Sequence, residues 1–424
     1  MSITRRELFG IHLAFALTGM SKNGKTEERK KVAAIITEYR RNSHAEVIVG
    51  RMLKGYYYYG KRSTPRVQIV SMYTDQVPDN DMSRELAAKH GFIIYPSVRE
   101  ALTLGSNKLA VDGVVFIGEH GNYPWNMKEQ HLYPRYWLYK QIMAVFQESK
   151  RVVPVFSDKF FSYDFYEAKW MYDQSRELNF PLMAGSSTPL VWRKPELELD
   201  LETPIEKAVI TAHGGKESYG FHSLEALQCM VERRRGGETG ISAVQCKEGA
   251  AVWKWTDANS WAEPLLNEAM ERCPEAKEGS PRDNVKHPIL FLLDYRDGLQ
   301  AAVYMLNGHL SSRAFAAIIS GKKEPVSTLF LKQPGRPYGN MSSLVYYIEE
   351  MIINGRTYYP VERTLLTTGV LAACMNSSWK EGRKVLEGQH METPYLNIIY
   401  KAQKESLFDR GPMSPADKDF GIGP

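Results

Sequence analysis

The sequence predicts an α/β fold in two parts: a doubly wound parallel sheet, then an α+β part built on a large, mostly antiparallel open sheet. Three observations carry this. The first half alternates short, continuous apolar runs with amphipathic segments, the pattern of strands buried on both faces under crossover helices. The second half carries strand-like runs separated by turns such as Asp297-Gly298, as in a meander. The 424 residues, 43% of them hydrophobic, are enough for two or three packed domains.

In chain order, 31–37 reads as the first buried strand. Ser43 caps a helix over 45–55 whose apolar face is Val47, Ile48, Met52 and Leu53. The run Tyr56-Tyr57-Tyr58-Tyr59-Gly60 ends that helix and reads as a half-buried loop. Strands follow at 66–73, 92–95, 111–117, 151–156 and 181–185, with helices at 83–90, 98–104, 136–149 and 164–179. The Pro-rich, acidic stretch 189–204 reads as a junction. Beyond it come a strand at 205–211 and a helix at 224–234. Strands are expected at 241–246, 250–255, 289–295, 300–307, 315–320 and 327–331, then a helix at 344–354 and an amphipathic helix at 360–375. The expected division is 25–190, 191–395 and a polar tail, 396–424, whose last twenty residues or so read as disordered.

Ahead of this lies 1–24, where Arg5-Arg6 precedes an apolar run of about a dozen residues. It resembles a twin-arginine export signal and predicts an exported, periplasmic protein; an ordinary amphipathic helix would leave it cytoplasmic. No stretch reaches the ~20 apolar residues of a membrane span. Lys and Arg (54) nearly balance Asp and Glu (49), so no face for nucleic acid is implied. Arg233-Arg234-Arg235 read as helix-end charge rather than a phosphate clamp. Cys229, Cys246, Cys273 and Cys374 form no C-x-x-C pair.

In a doubly wound sheet, ligands sit beyond the carboxyl ends of the strands. The polar residues expected there are Glu38, Arg40, Ser43, His44, Asp75, Glu119, His120, Asp158 and Lys159. Solvated loops of any α/β protein also carry polar residues, so each of them singly has a plain surface reading. At mid-chain, 212–225 packs His213, Lys216, Glu217, His222 and Glu225 around three glycines, just ahead of a helix.

Several segments occur in an order known elsewhere. They are 83–95 followed by Val98-Arg99-Glu100-Ala101-Leu102, the strand from Val111 on, Ser157-Asp158-Lys159, Gly220-Phe221-His222-Ser223-Leu224-Glu225, and 355–366. Over roughly 30–395 the chain resembles the Gfo/Idh/MocA oxidoreductases, named for glucose-fructose oxidoreductase and inositol dehydrogenase. The resemblance implies a Rossmann-like first domain binding NAD or NADP and a small polyhydroxylated substrate, a sugar or polyol. It makes Lys159 the lysine between nicotinamide and substrate hydroxyl, and His222 the acid/base, suited to the task by an ordinary pKa near 6.5. Asp158 and Glu217 join them as catalytic candidates, Glu217 as the carboxylate that orients His222. Glu38, Arg40, Ser43, His44, Asp75, Glu119 and His120 become the cofactor contacts, with Asp75 on a ribose hydroxyl.

The chain departs from that pattern at the first βα turn. The family's G-x-G-x-x-G/A lets backbone approach a diphosphate; here 37–44 holds no glycine. A second reading therefore keeps the fold without a nicotinamide, as a metal-assisted isomerase or lyase drawing on Glu38, His44, Glu119, His120, Asp158, His213, Glu217 and His222. A third is a non-catalytic sugar-binding protein, with Tyr123, Trp125, Tyr133, Tyr136 and Trp137 stacking on sugar rings. On any reading the open sheet is expected to make a homo-oligomer.

Overall fold

The computed structural model describes residues 28–333 and 338–413. The twin-arginine stretch and the end of the expected tail lie outside them. The first sheet comprises β1 (Lys30–Ile36), β2 (Val67–Thr74), β3 (Ile93–Ile94), β4 (Gly113–Ile117), β5 (Val155–Asp158) and β6 (Leu182–Gly185). They lie in the order β3-β2-β1-β4-β5-β6, all parallel. This is the doubly wound order, with its switch point between β1 and β4. Helices α1 (His44–Lys54), α2 (Ser83–His90), α3 (Val98–Thr103), α4 (Arg135–Ser149) and α5 (Phe165–Glu177) connect the strands. Ser43 caps α1, its Oγ accepting from the Glu46 N–H. The tyrosine run is a hairpin rather than a loop: Tyr56–Tyr58 pairs with Lys61–Ser63. Tyr56 is fully buried and donates to Glu349 (2.7 Å), and Tyr58 stacks on Tyr346 at 4.1 Å.

The second sheet has eight strands: β7 (Trp192–Lys194), β8 (Ile205–Ala212), β9 (Ile241–Glu248), β10 (Ile289–Tyr295), β11 (Gln300–Met305), β12 (Ala314–Ile319), β13 (Val326–Leu331) and β14 (Met391–Glu392). Their order is β14-β9-β10-β11-β8-β12-β13-β7. The meander β9-β10-β11 is as expected, but β8 inserts beside β11 in parallel, so the sheet is mixed. One face packs on α6 (Ser218–Val231) and on the last long helix. The other is covered by α7 (Ala250–Ala258) and α8 (Ala262–Met270), whose Val252, Leu265, Leu266 and Ala269 join Val209, Leu290 and Ala302 in a core of their own. The strand expected at 250–255 is α7; Ala251, Val252 and Thr256 are its buried stripe, and their spacing is helical.

Two long helices close the chain. α9 (Asn340–Asn354) leaves the second sheet and returns to the first, where Leu344, Val345, Ile348 and Met351 pack with Val32, Ile36, Ile48 and Met52. α10 (Glu362–Ser377) was expected to be amphipathic but is buried on nearly every side, between α5, α6 and β9. Its Thr367 and Thr368 hydroxyls bond back to the helix's own carbonyls, which lets them be buried. The tail is ordered further than expected: Phe408 is buried, and the Trp192 indole donates to Gly411 O at 2.6 Å. Arg233 and Arg234 are buried anchors rather than exposed helix-end charges. Arg233 donates to the carbonyls of Gln403 and Lys404, and Arg234 pairs with Glu238 and Asp297. All four cysteines are free and buried.

Candidate functional site

A cavity of about 780 Å³ opens beyond the carboxyl ends of β1, β4 and β5, between the two sheets. Its floor is a chain of ion pairs. Lys159 follows β5 with φ +62°, and its N–H donates to Gly185 O (3.0 Å), a turn that folds the side chain inward. Its ammonium lies 2.9 Å from Glu119 Oε1. Arg135, at the start of α4, pairs with Glu119 Oε2 and donates from Nε to Gly118 O (2.8 Å). A Cβ at residue 118 would stand 2.6 Å from Arg135 Cγ, so the guanidinium reaches Glu119 only past a glycine. Burial opposes charge on Glu119, but Lys159 and Arg135 outweigh it and hold the carboxyl well below its usual range. Phe160 stands where the resembling family has proline; it lies under the Arg135 guanidinium (4.0 Å) and beside Phe221.

Beside this chain lies a second one. Asp158, 1% exposed, accepts from His44 Nδ1 at 2.6 Å, and the His44 ring meets that of His120 edge-on at 5.4 Å. Asp158 therefore serves His44 rather than Lys159. His120 is kept neutral by burial, which pushes its pKa to about 3.

The wall is α6 and the turn before it. The helix begins at Ser218, not at 224, because Gly220 is a helical contact: a Cβ there would lie 2.8 Å from the Phe291 ring. His222 therefore projects from inside the helix. It is buried, its Nδ1 3.5 Å from Thr188 Oγ1, and burial followed by the charge of Lys159 holds its pKa well below 6.5. Glu217 does not orient it. Glu217 Oε2 accepts instead from the His131 N–H (2.9 Å), while Oε1 has no partner. Burial raises the Glu217 carboxyl to about 7. His131 lines the cavity and stacks on Trp125 (4.3 Å). The loop carrying these residues is tied down by four charges: Lys216 and Lys384 each bridge Glu129 and Glu248, at 2.5 to 3.0 Å. Sequence reasoning missed Arg135, Lys332 and Arg313. The signal for Arg135 was a lone cation among Tyr133, Tyr136 and Trp137.

The residues expected to hold a dinucleotide are committed elsewhere. Thr37, Tyr39 and Asn42 have the spacing of the missing glycines. Tyr39 is fully buried among Ala45, Val49, Met72 and Leu86, and its carbonyl accepts from Met82 N. Arg40 N donates to Ser43 Oγ, and Asn42 N to the Glu46 carboxylate. Glu38 is buried against Arg40 Nε (2.5 Å). Two buried carboxylates thus stand in the turn where a diphosphate would bring at least two further negative charges. Both oxygens of Asp75 accept from tyrosines, Tyr123 at 2.6 Å and Tyr73 at 2.9 Å. Gln76 and Asn122 exchange hydrogen bonds across the same gap. These residues do not fit a dinucleotide diphosphate. Nor do the eight side chains weighed for a metal converge: among the described residues, no three His, Cys, Asp or Glu are arranged to hold an ion.

No protein-family model and no curated protein matches this sequence. Solved structures do. GenD2 from gentamicin A biosynthesis, in complex with NAD, is 14% identical with a TM-score of 0.51, over 88% of this chain and all of that one. The apo scyllo-inositol dehydrogenase of Lactobacillus casei is 10% identical with a TM-score of 0.50, over 83% of this chain and 96% of that one. The chain has the fold of the Gfo/Idh/MocA oxidoreductases, as its motifs suggested. No helix among the described residues is long and apolar enough to cross a membrane.

Proposed function

We propose that the chain is a divergent member of the Gfo/Idh/MocA family. On this reading it transfers protons on a small polyhydroxylated substrate without a bound nicotinamide: isomerisation, epimerisation or elimination beside a carbonyl. The carrying observation is that His222, Lys159 and Glu217 face one cavity, while the diphosphate turn is filled by the chain's own side chains. His222, kept neutral, takes a proton from the carbon or hydroxyl next to the carbonyl. The Lys159 ammonium, held by Glu119, stabilises the oxyanion that forms. Glu217, whose carboxyl burial raises to about 7, returns a proton to oxygen or carbon. His44, oriented by Asp158, is a further base on the cavity floor.

The oxidoreductase reading, in which NAD or NADP accepts a hydride from a sugar or polyol, draws support from the shared fold and from Lys159 and His222 lining the same cavity. One experiment separates the two. Purified protein is denatured and its supernatant assayed for NAD(H) and NADP(H), and added dinucleotides are titrated by calorimetry. We expect neither release nor binding. Stoichiometric nucleotide, or micromolar affinity for either one, overturns the nicotinamide-free reading in favour of the dehydrogenase.

A further inference from the structure

Near the cavity stand two cations, Lys332 and Arg313, that pair with no carboxylate among the described residues. Lys332, just past β13, lines the cavity together with His213, Tyr219, His222 and Ser311. No hydrogen bond or ion pair joins its ammonium to a carboxylate among the described residues. Arg313, immediately before β12, is 2% exposed; it donates from Nε to Ser223 Oγ (2.9 Å), lies 5.3 Å from the centre of the Tyr219 ring, and leaves Nη2 without an acceptor. The carboxylates within reach do not neutralise the pair. Glu119 is committed to Lys159 and Arg135. Glu217 is raised by burial to about 7, so it carries only part of a charge near neutral pH. Glu275 is exposed and accepts from the Ser311 N–H (2.9 Å).

Lys332 lines the polar cavity and Arg313 is buried behind Tyr219; two neighbouring cations with no anion of their own are costly unless something else supplies the charge. The surroundings register that cost. Burial, then Arg313 and Lys159, bring Lys332 down to about 7, and burial brings Arg313 down to about 10. His213 is pushed by burial, then by Arg313 and Lys332, to about 4. An oxyanion on Lys332 would reverse each of these shifts, with the charge of Arg313 behind it adding to the attraction, and an ammonium group readily holds carboxylates and phosphates.

We propose that Lys332, backed by the buried charge of Arg313, forms an oxyanion subsite, and that the substrate of this cavity is a polyhydroxylated compound bearing a carboxylate or a phosphate, such as a sugar acid or a sugar phosphate. The inference rests on the reading of this cavity as the substrate site. Its test reads binding alone, so the two fail separately. Turnover of neutral substrates without anion binding removes the subsite and keeps the enzyme; anion binding without turnover does the reverse.

The full chain is titrated by calorimetry with sodium phosphate and with sodium acetate, against sodium chloride at equal ionic strength. We expect at least one oxyanion to bind where chloride does not, and Lys332→Gln to weaken it about tenfold or more. Binding of phosphate alone identifies a phosphoryl group, and binding of acetate alone a carboxylate. Lys332→Met gives the same comparison should Lys332→Gln fail to fold. The proposal is overturned if neither oxyanion binds better than chloride, or if a folded Lys332 variant binds as the wild type does.

Discussion

Glu119 lies between two cations, its Oε1 2.9 Å from the Lys159 ammonium and its Oε2 paired with Arg135, and all three side chains are at most about 5% exposed. Such a pair is weak evidence of stability while intact, because desolvation offsets much of the attraction, but breaking it strands a charge. Glu119→Gln should therefore cost about 3–5 kcal/mol in chemical denaturation. A cost below about 1 kcal/mol would mean that water reaches these groups.

Glu217 gives a pH signature. Its carboxyl moves from an ordinary 4.5 to about 7 in the folded chain. Between those values the folded state keeps a proton that the unfolded state gives up. Its favourable contribution is thus complete below about 4.5 and is lost as pH climbs towards 7, by roughly 3 kcal/mol. Denaturation midpoints of wild type should fall across this window relative to those of Glu217→Gln. Activity that needs the protonated carboxyl should decline as pH rises through about 7, and Glu217→Gln should lack that limb; parallel profiles would remove Glu217 from the chemistry.

His44 and Asp158 should act as a unit. Asp158→Asn cannot stabilise a protonated His44 and should lower turnover about 10²–10⁴-fold, the range of a lost acid–base group. Adding His44→Ala should then cost little more, since the two changes share one interaction. Additive losses would separate the residues.

Tyr39→Gly tests the filled turn. The ring is fully buried, so its removal should cost about 3–5 kcal/mol, and calorimetry should still find no NAD binding because Glu38 and Glu46 remain. Gain of dinucleotide binding would show that Tyr39 alone closes the site.

The doubly wound half was legible because continuous apolar runs such as 31–37 and 111–117 have few alternatives at that length. Ser43 as a cap was equally plain, since a short polar side chain before an apolar face has a local job that needs no tertiary information. The misreadings fell where long-range packing decides. Gly220 stood ahead of the helix expected at 224–234 and lies inside it, in contact with Phe291. Residues 250–255 were too short for periodicity to separate helix from strand. At the site, Lys159 and His222 could be picked out by resemblance, but the partners of Glu217 and Asp158 could not. They are set by the loop carrying His131 and by the first residue of α1, which no local pattern connects to them. Lys332 and Arg313 were invisible for a related reason: a cation is notable only once its surroundings are known to lack a carboxylate.

The return of α9 to the first sheet has a consequence for how the molecule unfolds. Val32, Ile36 and Ile48 are sealed by residues about three hundred positions later in the chain. A chain stopped near residue 190 would leave that face open, and a second half made alone would carry an apolar helix with nothing to cover. Neither sheet is a self-sufficient folding unit, so the protein should melt in one cooperative step, and limited proteolysis should not release a stable half.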